Sequence, residues 1–364
     1  MIYNNKISNG MKVAIDISPL NQGNYLHHRV RGTGSYINGL RQGLTKYYPK
    51  NKYIFFNQGE KLSKDIDLIH YPYFEPFFLT LPLKKTHKTV VTVHDLTPLV
   101  FKDKFPSGIK GGVRWAVQKR LLQMADAVIT DSISSKKDIE KFTKISPSKI
   151  HVVYLAADEK FKKLEIGNWK LEIQKRYGLP ESFLLYVGDA TWNKNLPNLI
   201  KAVGRTRHHL VIVGKAFKNE DFDKSNPWNQ SLAEAQTLAK LNKKVIVLGF
   251  LNSNDLAKIY KSATAFIMPS FYEGFGLPVL EAMASGVPVI TSNTSSLKEI
   301  GKDAVYYVDP ESIDSIKKGI DEVMGDSKLR EEFIKKGIKR SKQFSLKKTI
   351  DETIKVYDEI INKK

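Results

Sequence analysis

Short apolar runs that alternate with longer amphipathic stretches are the feature that most constrains how this chain folds. The runs are apolar on both faces, and helical periodicity separates them, as over Ser35–Tyr47, Val113–Met124 and Trp169–Tyr177. This pattern predicts parallel β-sheets with helices on both sides, in an α/β fold. The predicted strands are Lys12–Ile17, Tyr53–Phe56, Leu68–Tyr71, Thr89–Val93, Ala127–Thr130, His151–Tyr154, Phe183–Val187, Leu210–Val213, Val245–Leu248, Ala265–Met268, Val287–Thr291 and Val305–Val308.

The strands form two series in tandem, which predicts two Rossmann-like, doubly wound domains in a chain of 364 residues. We expect an N-terminal domain over 1–160, with 1–10 as a loose tail, and a C-terminal domain over 161–345. A final helix over 346–364 is expected to cross back to the N-terminal domain. Ligands of such sheets bind beyond the carboxyl ends of the strands, so the domains are expected to face each other across a cleft.

The composition excludes several kinds of protein. The chain has no cysteine, which rules out disulfides, thiolate zinc sites and a cysteine nucleophile. No stretch approaches the roughly 20 apolar residues that span a bilayer, and the polar N-terminus lacks the apolar core of a signal peptide, so we expect a cytoplasmic protein. The net charge is +20, and the surplus of basic over acidic residues is larger in the first half than in the second. This indicates either an anionic partner or a generally lysine-rich composition.

The most informative segment, PSFYEGFGLPVLEAMASGVPVIT, begins directly after the predicted strand Ala265–Met268. Gly274 and Gly276 allow a tight loop there. A helix is predicted over Leu277–Ala284, because a proline falls in its first turn and a glycine just beyond its end. Such a loop directs backbone N–H groups and the positive end of a helix dipole at one point, which predicts an anion site.

Two carboxylates flank these glycines. Glu273 precedes them, and Glu281 follows eight positions later in the predicted helix. A carboxylate accepts hydrogen bonds from two neighbouring sugar hydroxyls, so the spacing fits a ligand with a hexose at one end, a ribose at the other and phosphates between. The alternative is that Glu273 is a solvated loop acid and that Glu281 only complements the helix dipole.

The block around these glutamates resembles the E-x7-E motif of the retaining GT-B glycosyltransferases, in particular glycosyltransferase family 4. The resemblance extends over nearly the whole chain, and the motifs are similar to those of bacterial mannosyltransferases that build surface polysaccharides. It implies an acceptor-side N-terminal domain and a C-terminal domain that binds a nucleotide-sugar donor. The other segments that carry it, in family order, are RGTGSY (31–36), TVHDLTP (92–98), YVGDATWNKNL (186–196), VLGF (247–250) and SSLKE (295–299).

The resemblance implies roles for residues of the donor site. Glu273 would bind the hydroxyls of the donor sugar, and Glu281 would bind the ribose. The sugar and diphosphate would be met by backbone N–H groups of Phe275, Gly276 and Leu277.

The resemblance also implies a phosphate clamp and a base site. Lys194 would neutralise the phosphates as the nucleoside diphosphate leaves. The family often has an arginine where this chain has Asp189, which removes one expected cation, and Lys215 would take part of its role. The nucleotide base is expected on the backbone around Phe250 and Leu251.

Two positions of the first domain match family segments. Gly34 would let the backbone approach the phosphates or the acceptor, or it belongs to an ordinary helix-capping turn. His94 would lie near the donor sugar as a catalytic residue, although a single histidine is often structural. Asp95 is expected to anchor the same loop as a cap.

The family retains the configuration of the anomeric carbon, and no second acid is suited to be a nucleophile. The resemblance therefore implies front-face attack, in which the leaving phosphate oxygen takes the proton of the acceptor. Two Asp-x-Asp pairs, Asp65–Asp67 and Asp221–Asp223, are poorly placed for catalysis. We predict no catalytic metal and no other cofactor.

GDP-mannose is the first expected donor and UDP-linked sugars the second, with a glycan or lipid-linked acceptor. The stretch Phe101–Leu122 mixes basic with apolar residues. It is either a surface for an anionic membrane, which would place the protein peripherally at the inner face, or an ordinary helix with a solvated basic face.

Other functions remain as alternatives. A nucleotide-sugar epimerase or a phosphorylase can use the same fold, but no lysine has a persuasive context for pyridoxal phosphate. A basic nucleic-acid-binding protein is disfavoured because no aromatic–basic recognition motif is present, so no nucleic-acid partner is expected. A dehydrogenase would need G-x-G-x-x-G after the first strand, which RGTGSY does not supply.

Overall fold

The structure, a computed structural model, describes residues 10–21, 31–163, 167 and 169–363, without the side chains of Arg31 and Lys163. Most of the predicted tail over 1–10 therefore lies outside the described residues. The chain divides into two compact units. The first contains the described residues up to Leu99, then Ser107–Leu155 and the chain from Leu346 onward, and the second contains Val100–Pro106 and Ala156–Ser345.

Across its described residues, the first unit is built on a six-stranded parallel sheet of order β2-β1-β3-β4-β5-β6. The helix α14 belongs to this unit, where it packs against α1, β4 and β5. The elements are β1 (Lys12–Asp16), α1 (Arg31–Tyr47), β2 (Lys52–Phe56), β3 (Leu68–Tyr71), β4 (Lys88–Thr92), α2 (Thr97–Val100, which ends in the second unit), α3 (Gly108–Gln123), β5 (Ala127–Thr130), α4 (Ile133–Thr143), β6 (Ile150–Val152) and α14 (Leu346–Asn362).

The second unit also has a six-stranded parallel sheet in the part that is described, of order β9-β8-β7-β10-β11-β12. Counted from its first strand this is the order 3-2-1-4-5-6, whose topological switch point lies between β7 and β10. The elements are α5 (Glu159–Lys163), α6 (Trp169–Tyr177), β7 (Phe183–Val187), α7 (Leu196–Gly204), β8 (His209–Val213), α8 (Gln230–Leu241), β9 (Val245–Gly249), α9 (Ser253–Ser262), β10 (Ala265–Met268), α10 (Leu277–Ala284), β11 (Val289–Ser292), α11 (Ser295–Gly301), β12 (Tyr306–Val308), α12 (Ile313–Gly325) and α13 (Ser327–Ser341).

The prediction of two doubly wound α/β sheets is confirmed, and most strand bounds agree within two residues. The largest errors concern helix starts. α1 begins at Arg31 rather than Ser35, so the expected glycine loop RGTGSY is helical. Two glycines disfavour a helix locally, but Tyr36 and Ile37 are buried, and such packing outweighs weak propensities. α3 likewise begins at Gly108, five residues before the predicted start.

The basic stretch Phe101–Leu122 is divided between the two units, and its role as a membrane surface stays a prediction. Its beginning belongs to the second unit, where Phe105 is buried with its ring centroid 5.1 Å from that of Trp228. α3 belongs to the first unit, and its Ile109 and Val113 are 89% and 61% exposed. Among the described helices, none has the length and apolar character needed to span a bilayer.

Candidate active site

The loop between β10 and α10 begins at the switch point of the second sheet. Gly276 has φ 97°, and a Cβ there would lie 2.8 Å from the Cδ2 atom of Leu297. Only glycine adopts this backbone without strain. Gly276, the N-cap residue of α10, has no side chain with which to cap the helix. Pro278 lacks an N–H and the N–H of Val279 donates to the carbonyl oxygen of Gly276 at 3.0 Å, so the helix start offers its dipole and the amides around Gly276 to an anion.

Glu273 is held in this loop by direct contacts. The Nζ atom of Lys194 lies 2.6 Å and 2.9 Å from its two carboxylate oxygens, and the hydroxyl of Ser270 donates to Oε1 at 2.7 Å. Glu273 is only 6% exposed, so the alternative of a solvated loop acid is wrong. The structure thus brings together two residues that the sequence predicted at the site, one after β7 and one after β10.

Asparagines on both sides of Lys194 fix its position. The amide of Asn193 donates to the carbonyl oxygen of Tyr272 at 2.9 Å. The amide of Asn195 donates to the carbonyl oxygens of Pro269 and Pro310, at 3.0 Å and 2.7 Å. These bonds join the loop after β7 to the loop after β10. The lysine is therefore preorganised rather than one surface cation among many.

The backbone of Glu273 is fixed from the other side by the start of α11. Its N–H donates to the Ser295 hydroxyl at 2.9 Å, and its carbonyl oxygen accepts from the Ser296 hydroxyl at 2.8 Å. Ser295 has φ 44°, in the left-handed region that costs a non-glycine residue about 1 kcal/mol or more. The segment SSLKE, which carries part of the family resemblance, therefore holds the first glutamate in place.

Glu281 lies in the second turn of α10. The Tyr260 hydroxyl donates to its Oε2 atom at 3.0 Å. Burial raises the pKa of Glu281 to about 7, although the hydrogen bond from Tyr260 and the charge of Lys160 both oppose that shift. A carboxylate that only complemented a helix dipole would have a lowered pKa, so this alternative does not describe Glu281. The sequence reading missed both Tyr260 and Lys160.

His94 lies at the carboxyl end of β4 in the first unit. Its Nδ1 atom is 2.6 Å from Oδ2 of Asp131, which follows the neighbouring strand β5. Burial lowers the pKa of His94, but the Asp131 carboxylate, the charge of Asp95 and a hydrogen bond to the backbone of Pro72 together outweigh this, and the pKa is raised overall. The Nε2 atom is buried. Asp131 was missed, although polar residues after adjacent parallel strands are expected to meet.

The remaining predicted residues lie in varied surroundings. Phe275 is buried, with its ring centroid 6.1 Å from that of Phe344, and Leu277 is the first residue of α10. Lys215 is exposed in a 3₁₀ turn after β8, and Asp189 is exposed after β7. Leu251 is buried, whereas Phe250 is 70% exposed. Gly34 is helical in α1, where a Cβ would meet Leu20 at 3.8 Å among the described residues, so the predicted loop is wrong and the role of Gly34 in binding stays a prediction.

The two Asp-x-Asp pairs have other contacts. Asp65 pairs with the Lys12 side chain, and Asp67 accepts from the Lys12 N–H at 2.7 Å. Asp223 accepts from the N–H and the hydroxyl of Ser225. Among the residues whose placement is described, no group of three or more His, Asp or Glu side chains is arranged to hold a metal ion. Independence from metal stays a prediction.

Two doubly wound units, with an ion pair between Lys194 and the buried Glu273 at the switch point of one of them, are the architecture expected of a GT-B-type glycosyltransferase. Comparison with known proteins gives the family. The model of glycosyl transferases group 1 matches residues 169–340, and that of glycosyltransferase family 4 matches residues 23–161. The chain belongs to this family of glycosyltransferases.

A curated relative is the O-antigen chain mannosyltransferase B of Escherichia coli. It is 31% identical over 300 residues, and the match covers 80% of this chain and 75% of that protein. Sucrose-phosphate synthase from Thermosynechococcus elongatus has a similar structure, with a TM-score of 0.73 and 18% identity over 96% of this chain and 98% of that one. Anabaena HepE in complex with UDP and glucose gives a TM-score of 0.70 at 14% identity, over 95% and 98%. At these identities the structural matches support the fold alone.

Proposed function

We propose that this glycosyltransferase moves a hexose from a nucleotide sugar to a glycan or lipid-linked acceptor and retains the anomeric configuration. The observation that carries the proposal is the contact between Lys194 and the buried Glu273 beside the start of α10. A sugar diphosphate needs a cation, a carboxylate and backbone amides, and the residues around this contact could supply all three. GDP-mannose is the preferred donor, because the relative is named a mannosyltransferase, and UDP-linked sugars are second, because HepE is named with UDP.

In the proposed donor complex the diphosphate lies at the N-terminus of α10, against the amides of Phe275, Gly276 and Leu277. The ammonium group of Lys194 then donates hydrogen bonds to the phosphate oxygens as well as to Glu273. Glu273 then accepts hydrogen bonds from hydroxyls of the sugar, and Glu281 accepts from the ribose. The buried surroundings make these contacts stronger than they would be in water.

In the proposed reaction the bond between the anomeric carbon and the phosphate oxygen breaks, and the acceptor hydroxyl attacks from the same face. The acceptor proton passes to the phosphate oxygen that leaves. Lys194 and the helix amides stabilise the charge that develops on the nucleoside diphosphate, so the protein acts by positioning and electrostatics and needs no metal ion. His94, oriented by Asp131, would form a hydrogen bond to the sugar.

We further propose that the protein works peripherally at the inner face of a membrane. Support comes from α3, where Ile109 and Val113 are exposed beside Lys110 and Arg114. Basic residues near an anionic surface contribute about 1 kcal/mol each, so a few of them would give reversible binding.

The test is a donor panel followed by a variant pair. Unfolding is monitored with GDP, UDP, GDP-mannose and UDP-glucose, since a ligand at about 100 times its dissociation constant adds about 2.7 kcal/mol of stability. The best donor is then assayed for transfer, and the anomeric configuration of the product is read by NMR. Glu273→Gln should lose transfer while still binding the nucleoside diphosphate, and transfer should survive EDTA. An inverted product, or full activity of Glu273→Gln, would refute the mechanism.

A further inference from the structure

On one face of the sheet of the first unit, loops rather than helices cover part of the surface. In a right-handed fold, the connection from β1 to β2 through α1 lies on one face, and the later connections, which run the other way along the sheet, lie on the opposite face. α3 and α4 cover part of that opposite face. The connections 57–67 and 72–87, both fully described, contain no helix. Loops alone therefore cover the sheet over β2 and β3.

These two loops border a groove of about 1030 Å³. This volume is at the upper end of the range for ligand pockets, about 300–1,000 Å³. Apolar and aromatic side chains of the strands and of the second loop form its floor: Phe56, Ile69, Tyr71 and Leu81. These side chains are only 3–7% exposed, so an alkyl chain would contact just the parts of them that border the groove.

Hydrogen bonds between the loops hold the groove open. The side chain of Gln58 donates to the carbonyl oxygen of Thr80 at 2.9 Å. Toward the other end of the loops, the Nε2 atom of His87 is 3.1 Å from the carbonyl oxygen of Ser63. The walls are therefore tied at two places, and a ligand need not order them.

The rim of the groove is basic. Lys61, Lys64, Lys84 and Lys85 line it, against the single carboxylate of Glu60 among its lining residues. Lys85 is paired with Asp126 at 2.7 Å. For the other lysines, no carboxylate of the described chain lies within ion-pair distance. An apolar floor under unpaired cations fits a molecule with an alkyl chain and an anionic head.

We propose that this groove binds one anionic lipid, with its alkyl chain along the floor and its phosphate at the lysine rim. The site lies within the first unit and is separate from the donor loops of the second. It therefore goes beyond the proposed transfer reaction and does not depend on which donor is used. A neutral glycan or a free phosphate would use only one of the two features.

Calorimetric titration of the intact chain with hexyl, octyl and decyl phosphate, each below its micelle concentration, tests the proposal. Burial of a methylene contributes about 0.8 kcal/mol, so two more methylenes should tighten binding roughly tenfold. Inorganic phosphate should bind at least a hundredfold more weakly than decyl phosphate. Equal affinities along the series, or for phosphate alone, would overturn the proposal, as would the absence of binding.

Matched variants locate the site. The rim variant combines Lys61→Gln, Lys64→Gln and Lys84→Gln, and the control variant makes the same change in net charge on exposed lysines elsewhere in the first unit, Lys46→Gln, Lys137→Gln and Lys141→Gln. The rim variant should bind decyl phosphate at least tenfold more weakly, and the control should bind it like the wild type. Leu62→Glu, which puts a carboxylate at a half-buried position of the groove, should also bind weakly.

A vesicle assay compares the same proteins by flotation with phosphatidylcholine alone and with added phosphatidylglycerol. The wild type and the control variant should float equally with the anionic vesicles, and the rim variant should float to a clearly smaller extent, since the contact proposed for α3 is intact in it. Equal losses in the rim and control variants would mean that only net charge matters and would overturn the groove. None of these measurements uses the donor, so failure of the transfer reaction would leave them interpretable.

Discussion

Glu281→Gln should stabilise the ligand-free protein by an amount that grows from about pH 4.5 and is complete above about pH 7. The folded pKa of Glu281 is about 7, against an ordinary value of 4.5. This difference corresponds to about 3 kcal/mol of destabilisation once the carboxylate is ionised in the folded state. Because the folded pKa is raised, the folded state holds the proton more tightly than the unfolded state. The destabilisation is therefore absent below about pH 4.5, grows between the two pKa values and is complete above about pH 7.

Glutamine mimics the protonated acid and still accepts the hydrogen bond from Tyr260. The variant should therefore equal the wild type at pH 4.5 and exceed its unfolding free energy by up to about 3 kcal/mol at pH 8.5. Denaturant unfolding followed by tryptophan fluorescence measures this, because three of the four tryptophans, Trp169, Trp192 and Trp228, belong to the second unit.

The control is Glu311→Gln, which removes the same charge at an exposed position of the same unit. Its difference from the wild type should stay small and should not follow the same pH profile. A pH-independent effect of Glu281→Gln, or a loss of stability that grows toward pH 8.5, would refute the assignment of a buried acid. Donor binding should move the opposite way, because glutamine cannot accept both ribose hydroxyls.

Three further changes test other contacts. Asp131→Asn should lower the His94 pKa, because it removes the strongest group that opposes burial, and should lower kcat at least tenfold; NMR titration and kinetics measure the two effects. The stability lost with the ion pair should be largest below pH 6.5 and shrink as pH rises through the raised wild-type pKa. Tyr357→Phe should lower the free energy of opening of β3, as measured by hydrogen exchange, by about 1–3 kcal/mol, because it leaves the buried Nδ1 atom of His70 without its partner at 2.6 Å. Unchanged protection of the β3 amides would contradict this. Gly276→Ala should lower the free energy of unfolding by about 1–2 kcal/mol and raise the KM for the donor, because alanine is strained at φ 97°. Kinetics equal to the wild type would refute a close approach of the donor to this backbone.

The fold was predictable because its signal is repeated along the chain. Strands buried on both faces read as continuous apolar runs, and helices separate them, so two parallel sheets followed from the sequence. Strand order did not follow, since it depends on long-range pairing such as that of β7 with β10. The start of α1 was missed because Gly32 and Gly34 disfavour a helix locally, whereas the packing that stabilises it is tertiary.

The site was predictable where one short segment carries it. Glu273, Gly276 and Glu281 lie on a single loop and helix, and the motif names them. Asp131 and Tyr260 could not be found in this way, because each acts through a partner that is distant in the chain and close in space. The contact between Lys194 and Glu273 was missed for the same reason, although both residues were predicted at the site.

Several features of the second unit that cost folding free energy lie around the proposed donor site. Ser295 adopts left-handed backbone, Glu273 and Lys194 are paired where solvent is largely excluded, and Glu281 is an acid whose burial opposes its charge. Helix capping would need none of this, since an exposed serine or aspartate would cap α10 better. A buried ion pair adds little stability over apolar packing. We propose that donor binding accounts for the combination, with phosphates that meet the amides and the lysine and hydroxyls that meet both acids.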